Sequence, residues 1–330
     1  MRIHNIDIDR PIVLAPMEDV TDLPFRLICK RLGADIVYTE FVNSEGLIRD
    51  SDKAKQKLIF REEERPFGIQ IYGGEEASME SAARIAESCN PDLIDINCGC
   101  WVKDVALRGA GAGLLRDLPK MERIVSSVVK SVTLPVTVKT RLGWDQESIR
   151  IIEVARMLEQ TGVQALTVHC RTRAQGHKGD PDFSLIPQVK AAVHIPIFVN
   201  GSIDTVEKVK HVFDTTGCDG MMIGRTAIDN PWFFQQAKQY LRTSEVKSPP
   251  SHDERLSVLL EHLALSVEFK GERKGVLEFR KHYSGYLKGL PHASKVRQEV
   301  MQWVEQQPII ERITEYFQSL KEHEAVETQA

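Results

Sequence analysis

The stretch PVTVKTRLGWDQESIRIIEVARMLEQTGVQALTVHCR, residues 135–171, decides how the whole chain is read. Its ends, PVTVKTRLG (135–143) and ALTVHCR (165–171), are short β-branched runs of the kind that form strands. Between them, ESIRIIEVARMLEQTG (147–162) carries its apolar residues at helical spacing. Strand, helix, strand is one parallel βαβ unit.

The same unit recurs on both sides. Further strand candidates are IVLAPM (12–17), IVYTE (36–40), FGIQIYG (67–73), LIDINCG (93–99), IPIFVNG (195–201) and GMMIGR (220–225). Further helix candidates are PFRLICKRL (24–32), SMESAARIAES (78–88), PKMERIVSSVVKSV (119–132) and TVEKVKHVFDTTG (205–217). The strands are nearly continuous apolar runs, as in a parallel sheet covered on both faces. Eight such units in about 240 residues give the α/β class and a closed (β/α)8 TIM barrel. An open doubly wound sheet is the competing topology, but no dinucleotide fingerprint follows the first strand.

Past residue 243 the strand candidates stop. TSEVKSPPSH (243–252) is polar and broken by two prolines, which marks a linker. Asp253 reads as the N-cap of ERLSVLLEHLALSVEF, and helical spacing continues to about residue 321. The expected organisation is a barrel over 1–243, a linker over 244–252, an all-helical bundle over 253–323 and a flexible tail over 324–330.

Composition narrows the setting. A net charge of −4 over 330 residues excludes a global polycation, so a nucleic acid would have to meet a local basic patch. The six cysteines show no recurring pair spacing, which fits a reduced protein better than a disulfide scaffold. No run is long and apolar enough for a signal peptide or a membrane span. A cytoplasmic protein, monomeric and without a membrane partner, is expected.

In a barrel the C-terminal strand ends converge on one rim, where active sites are built. Here those ends carry Met17 and Glu18, Glu40, Gln70, Asn97 and Cys100, Lys139 and Arg141, His169 and Arg171, Asn200 and Gly201, Gly224 and Arg225. NGS (200–202) and GR (224–225) close strands seven and eight, the usual phosphate position in barrels, and Arg225 adds a charge-assisted contact. Lys139 reads three ways: a Schiff-base amine, a fixed charge beside an anionic cofactor, or a rim lysine reaching water. Gln70 can donate and accept, which suits a pyrimidine-like edge as well as a structural amide. His169 alone reads as a core histidine as readily as a functional one.

The two cysteines of DINCGCWVKDV (95–105) differ from each other. Their C-x-C spacing lacks further zinc ligands and is not the C-x-x-C of a redox pair, so no metal is expected. Cys98 belongs to the strand alternation and reads as core. Cys100 lies past the strand end, and with a thiol pKa of ~8.5 it is a proton donor at neutral pH. Separately, the stretch 270–297 holds eight Lys/Arg against two Glu with Tyr283 and Tyr286 interleaved, a pattern that suits an RNA backbone and its bases. A solvated helix face has the same composition.

Taken together, the motifs resemble the tRNA-dihydrouridine synthases over nearly the whole chain. APMEDVTDLPFR (15–26), IQIYG, DINCGC, GAGAGLLRD, VTVKTRLGW, VHCRTRAQGHKG, NGSI and IGRTAIDNPW stand in family order. FRKHYSGYLKGLPHA (279–293) resembles the family's RNA-binding helices, and the nearest subgroup is the bacterial B-type. The resemblance implies FMN on the barrel rim, NADPH as reductant and tRNA as partner. Reduced flavin would deliver hydride to C6 of an extruded uridine of the tRNA D-loop, and Cys100 would protonate C5. Pro16, Met17 and Glu18 would line the flavin, with Gln70 on its pyrimidine edge and Lys139 favouring its anionic reduced form. His169, Asn200, Gly201, Ser202, Gly224 and Arg225 would hold its phosphate end. Asn97, Arg141 and Arg171 would hold the uridine, and Arg280 and Lys281 the RNA backbone. Three departures from the family pattern stand out: Trp101 occupies the place of a proline after the catalytic cysteine, Ser202 that of an acidic residue, and Cys98 adds a second thiol near the first. The alternatives are the same flavin chemistry on rRNA or on a free pyrimidine, as in dihydroorotate dehydrogenases, and a non-enzymatic RNA-binding protein on a decayed barrel.

Overall fold

The computed structural model describes the backbone of residues 1–329 and the side chains of 1–323; the expected tail over 324–330 lies outside the residues described with side chains. Eight parallel strands form the barrel: β1 (Ile12–Leu14), β2 (Val37–Tyr38), β3 (Phe67–Tyr72), β4 (Leu93–Asn97), β5 (Val136–Arg141), β6 (Ala165–His169), β7 (Ile197–Asn200) and β8 (Gly220–Ile223). Each pairs with its sequence neighbour from β2 round to β8, and β8 pairs with β1. The ring closes between β1 and β2, where Asp35 N donates to Ile12 O and Leu14 N to Ile36 O, both at 3.0 Å. A further short strand, Val42–Asn43, runs beside β3. All eight expected strands are present, and the topology is the closed barrel, not the open sheet.

Strand alternation divides the barrel walls. Ile69, Ile71, Ile94, Ile96, Val136, Val138, Leu166 and Val168 face outward and are buried under the helices. The opposite face holds an apolar floor of Val13, Tyr38, Leu93, Ala165 and Phe198, closed from below by Ile3 and Ile6 of an antiparallel ladder, Arg2–Ile3 with Ile6–Asp7. Two strand glycines make this floor possible: a Cβ on Gly68 would come within 2.6 Å of the Tyr38 ring, and one on Gly220 within 2.5 Å of Phe198. Above the floor the interior turns polar with Gln70, Asp95, Asn97, Thr137, Lys139 and His169. The continuous apolar reading of the strands therefore holds for their outer faces only.

Helices Leu23–Arg31, Glu76–Ser88, Leu118–Ser131, Ile151–Gln160 and Val206–Thr216 stand where helical spacing puts them. Helix Ile186–Ala192, which links β6 to β7, has only seven residues and opens with a proline, too short a segment to show a period. Residues 111–116, from the glycine-rich GAGAGLLRD, form a 3-10 turn beneath the β4 loop.

Beyond the linker stand five helices: His252–Lys270, Glu272–Phe279, Tyr283–Leu287, Ala293–Val300 and Gln306–Gln329. The first begins two residues earlier than expected. Ser251 is its N-cap, accepting from Glu254 N at 3.1 Å, while Asp253 pairs with Lys321 at 2.7 Å. The bundle has its own core of Leu259, Leu263, Val276, Phe279, Val300, Ile313 and Phe317, into which barrel residue Trp232 inserts. Trp232 Nε1 donates to Glu254 Oε1 at 2.8 Å. Leu23, Leu27 and Ile28 of the first barrel helix pack on Leu265, and Arg61 pairs with Glu268 at 2.7 Å. Apolar contact and ion pairs thus fix the bundle beside the rim.

Tyr283 and Tyr286 belong to this core, 0% and 1% exposed, so they are not surface rings for stacking bases. Helical spacing turned both inward. Tyr286 Oη instead shares a hydrogen with His262 Nδ1 at 2.9 Å.

Candidate active site

One cavity of about 940 Å³ opens on the rim between the strand ends and the helical bundle. Pro16, Met17, Glu18, Asn97, Cys100, Lys139, Arg141, His169, Arg171, Asn200, Gly201, Ser202, Gly224 and Arg225 all line it. Three expected residues do not. Gln70 is fully buried beneath the cavity, and Arg280 and Lys281 lie on the helical bundle away from it.

The floor is a hydrogen-bonded relay. Thr137 Oγ1 donates to Asp95 Oδ1 at 2.6 Å, Gln70 Nε2 to Asp95 Oδ2 at 2.6 Å, and Asn97 Nδ2 to Gln70 Oε1 at 2.9 Å. Asn97 Oδ1 then accepts from Gly99 N at 3.0 Å and Cys100 N at 2.8 Å. Both ends of the Gln70 and Asn97 amides are thereby engaged within the protein. Burial pushes the Asp95 carboxyl up to about 6, against the hydrogen bonds from Gln70 and Thr137 that pull it down. The relay clamps the turn carrying Cys100 from below, while Ala112 N donates to Cys100 O at 3.1 Å from the side.

Cys100 is 8% exposed and lines the cavity. Burial raises its thiol pKa, opposed by a backbone hydrogen bond at Val102 and by the charges of Arg141 and Lys139. The thiol is therefore protonated at neutral pH. Cys98 is fully buried, does not reach the cavity and is raised further by burial, so it is an inert core thiol.

The Lys139 ammonium makes no hydrogen bond or ion pair among the described residues, while its backbone carbonyl accepts from Cys98 N at 2.7 Å. Burial, helped by Arg141, pulls its ammonium down to about 8. Arg141 is spent on backbone carbonyls: Gly99 at 2.8 Å, Thr172 at 3.0 Å and Gly176 at 2.9 Å. It ties the β4 and β6 loops together and leaves its positive charge beside the thiol. Burial and the neighbouring cations of Lys139, Arg141 and Arg171 hold His169 neutral, and its Nε2 lies 3.3 Å from Arg171.

At the far end Arg171 and Arg225 converge on Ser202 Oγ, at 2.8 and 3.4 Å, and Arg171 also donates to Gly179 O at 2.8 Å. Gly201, at φ +139, brings its backbone against this corner: a Cβ there would come within 3.4 Å of His169 and 3.7 Å of Arg171. Arg171, expected with the uridine, thus reaches the anion corner with Arg225. On the near wall Lys57 grips Glu18 at 2.6 Å and approaches Glu40 at 3.7 Å.

The sequence pointed to none of the groups that the second wall supplies. His177, Pro249, Pro250, Arg255 and Lys288 also line the cavity: two of them from the linker, Arg255 from the first helix of the bundle and Lys288 from just past its third. Nothing local in the sequence marks them as groups of this cavity; the β6 loop places His177, and folding the bundle against the rim places the other four. Lys281 Nζ donates to Asp19 O and Arg280 to Trp303 O at 3.3 Å, so these two cations serve docking and bundle contacts. Arg273, Lys274, Lys295 and Arg297 of the same stretch are exposed.

This geometry can be set beside known proteins. A solved structure of the old yellow enzyme homologue from Zymomonas mobilis matches with a TM-score of 0.50 at 13% identity, covering 75% of this chain and 93% of that one, which is a likeness of fold. The tRNA-dihydrouridine synthase B of Pseudomonas aeruginosa is 42% identical over 90% of both chains, and a probable tRNA-dihydrouridine synthase of Rickettsia conorii is 38% identical over 98% of both. The family model for dihydrouridine synthase (Dus) matches residues 13–322, and the chain therefore belongs to the dihydrouridine synthase family.

Proposed function

We propose that this chain is an FMN-dependent tRNA-dihydrouridine synthase, reduced by NADPH, that saturates the C5=C6 bond of uridines in the tRNA D-loop with Cys100 as proton donor. The single observation that carries the reading is the Cys100 thiol, kept protonated by burial on the wall of a cavity whose other end is a cationic corner. The relatives from Pseudomonas and Rickettsia are named for tRNA, which favours tRNA over rRNA or a free pyrimidine.

The residues fit a flavin mononucleotide. Arg171, Arg225 and Ser202 converge after β6, β7 and β8, the common phosphate position of barrels, and Gly201 lets the backbone approach. Lys139, buried without a partner, gains one when an anionic ring edge lies beside it. Pro16 and Met17 form an apolar wall between them. Bound there, the flavin supplies the hydride, and the rest of the chemistry falls to the protein.

A stacked uridine cannot enter this cavity, so the base must leave its helix, and the bundle beside the rim provides a surface to hold the RNA while it does. Hydride on one carbon of the double bond gives the adjacent carbon enolate character, and Cys100 Sγ delivers the proton there. Arg141 and Lys139, whose charges pull the thiol pKa down, stabilise the thiolate left behind until solvent reprotonates it. With all six cysteines free, the protein suits the reducing cytoplasm, and among the described residues no helix is long and apolar enough to cross a membrane.

The test is a map of dihydrouridine across total RNA in cells with and without the gene. Loss at one or a few tRNA positions supports the reading. Loss at an rRNA position alone keeps the chemistry and changes the substrate; no change in a strain without a second such enzyme removes the reading. Cys100→Ala should keep flavin and RNA binding and lose most turnover, because Sγ is assigned only the proton.

A further inference from the structure

The loop after Cys100 carries a side chain that nothing above uses. Trp101 is 42% exposed, and among the described residues it is the only exposed phenylalanine, tyrosine or tryptophan. It lines the cavity mouth directly after the proton donor. The indole is not loose. It stands edge-on to His177 with ring centroids 5.4 Å apart and lies over Gly176, where a Cβ would come within 3.2 Å of its Cε3. Gly176 sits at φ +58, and its carbonyl accepts from Arg141, so the seat of the indole is tied to the cavity wall. Val102, 44% exposed, extends the apolar surface. Lys103, two residues on, and Lys178, next to His177, are both exposed and stand outside every ion pair of the described residues.

Leaving an indole in water beside a cavity is unfavourable unless something covers it. A braced ring with free cations on both flanking segments is the arrangement that takes an unpaired nucleotide: the base stacks on the ring and its phosphates meet the ammonium groups. The target base must pass inside, to Cys100, so the ring at the mouth faces its neighbour. We propose that Trp101, seated on His177, is a stacking platform for the RNA base flanking the extruded uridine, with Lys103 and Lys178 holding the adjoining phosphates. This deepens the RNA reading above and rests on it. A nicotinamide or adenine ring of the reductant presents the same planar chemistry, so the experiment separates the two.

Binding of tRNA to the full-length flavoprotein would be followed by indole fluorescence and by filter binding, in wild type, Trp101→Phe and Trp101→Ala. Stacking of a base on an aromatic side chain is lost on alanine substitution with roughly a 5- to 100-fold weaker Kd. The expected result is quenching by tRNA that disappears in Trp101→Phe, with affinity kept in that variant and lost in Trp101→Ala. Lys103→Glu with Lys178→Glu should weaken binding and flatten its salt dependence. Wild-type affinity in Trp101→Ala overturns the proposal, as does quenching by NADPH in place of tRNA. Because Trp101 is exposed, its variants should melt with wild type. If wild type forms no dihydrouridine yet tRNA still quenches Trp101, the proposed activity fails and the platform stands.

Discussion

Asn97 offers the sharpest test of how the site is held. Its Oδ1 accepts from Gly99 N and Cys100 N at 3.0 and 2.8 Å, and its Nδ2 donates to Gln70 Oε1 at 2.9 Å. Asn97→Ala strands two backbone donors and one buried amide oxygen. Each such group costs about 1–3 kcal/mol when left without a partner. Asn97 borders the cavity, so water can reach part of the gap, which puts the sum near the low end, at about 2–4 kcal/mol. For a chain of this size that is a fall in Tm of roughly 3–8 °C. The larger effect is on rate: a displacement of about 1 Å in the Cys100 turn costs on the order of 100-fold in turnover. Single-turnover formation of dihydrouridine should therefore slow while KM for tRNA stays put, because the relay acts on the thiol. Asn97→Asp, whose Oδ1 still accepts from Gly99 N and Cys100 N although its second oxygen can no longer donate to Gln70 Oε1, should recover part of the rate. An alanine variant that turns over normally at a lowered Tm would refute the coupling between relay and thiol. A rise in KM at unchanged kcat would return Asn97 to gripping the uracil directly.

Other consequences follow from the same geometry. Lys139→Met should stabilise the flavin-free protein by on the order of 2 kcal/mol at pH 7, since an ammonium pulled down to about 8 opposes folding below its ordinary range; Lys139 should contribute stability that rises between about pH 8 and 10.5, and the variant should lose that share of the slope while Lys30, also pulled down to about 8, keeps its own. The same variant should bind flavin more weakly, read by equilibrium dialysis. Turnover should hold past the ordinary thiol range of about 8.5 and fall only as Cys100 ionises, because burial raises that pKa; an early fall with the profile of a free thiol would count against Cys100 as the acid. Arg280→Glu with Lys281→Glu should lower Tm by loosening the bundle from Asp19 of the barrel and breaking the Arg280–Trp303 contact within the bundle, whereas Lys274→Glu with Arg297→Glu should leave Tm alone and lower RNA affinity in a filter-binding assay.

The eight strands, the closed ring and five of the crossing helices were legible in the chain because each reports on its own few residues. β-branched runs and helical spacing are local, and the barrel follows from counting them. The rim residues were legible for a related reason: a strand's C-terminal end is visible in sequence, and in a barrel all such ends meet. The sequence also separated Cys100 from Cys98 by reading the strand through residue 99; the strand ends at Asn97, yet Cys98 is fully buried and only Cys100 reaches the cavity. What it could not show is which polar groups would find each other. Gln70 and Asn97 read as hands for a ligand; only the strand register, pairing Gln70 with Asp95 and Asn97 with Lys139, reveals that they hold one another and the thiol's turn. Ser251 rather than Asp253 caps its helix, and the Asp253 carboxylate faces Lys321, 68 residues away. Tyr283 and Tyr286, three residues apart on one helical face, turned into the bundle core, and Trp101 came to rest on His177, a partner far along the chain. Local periodicity fixes the backbone, but the use of a side chain depends on partners far along the chain, and those are chosen when the barrel closes and the bundle docks on its rim.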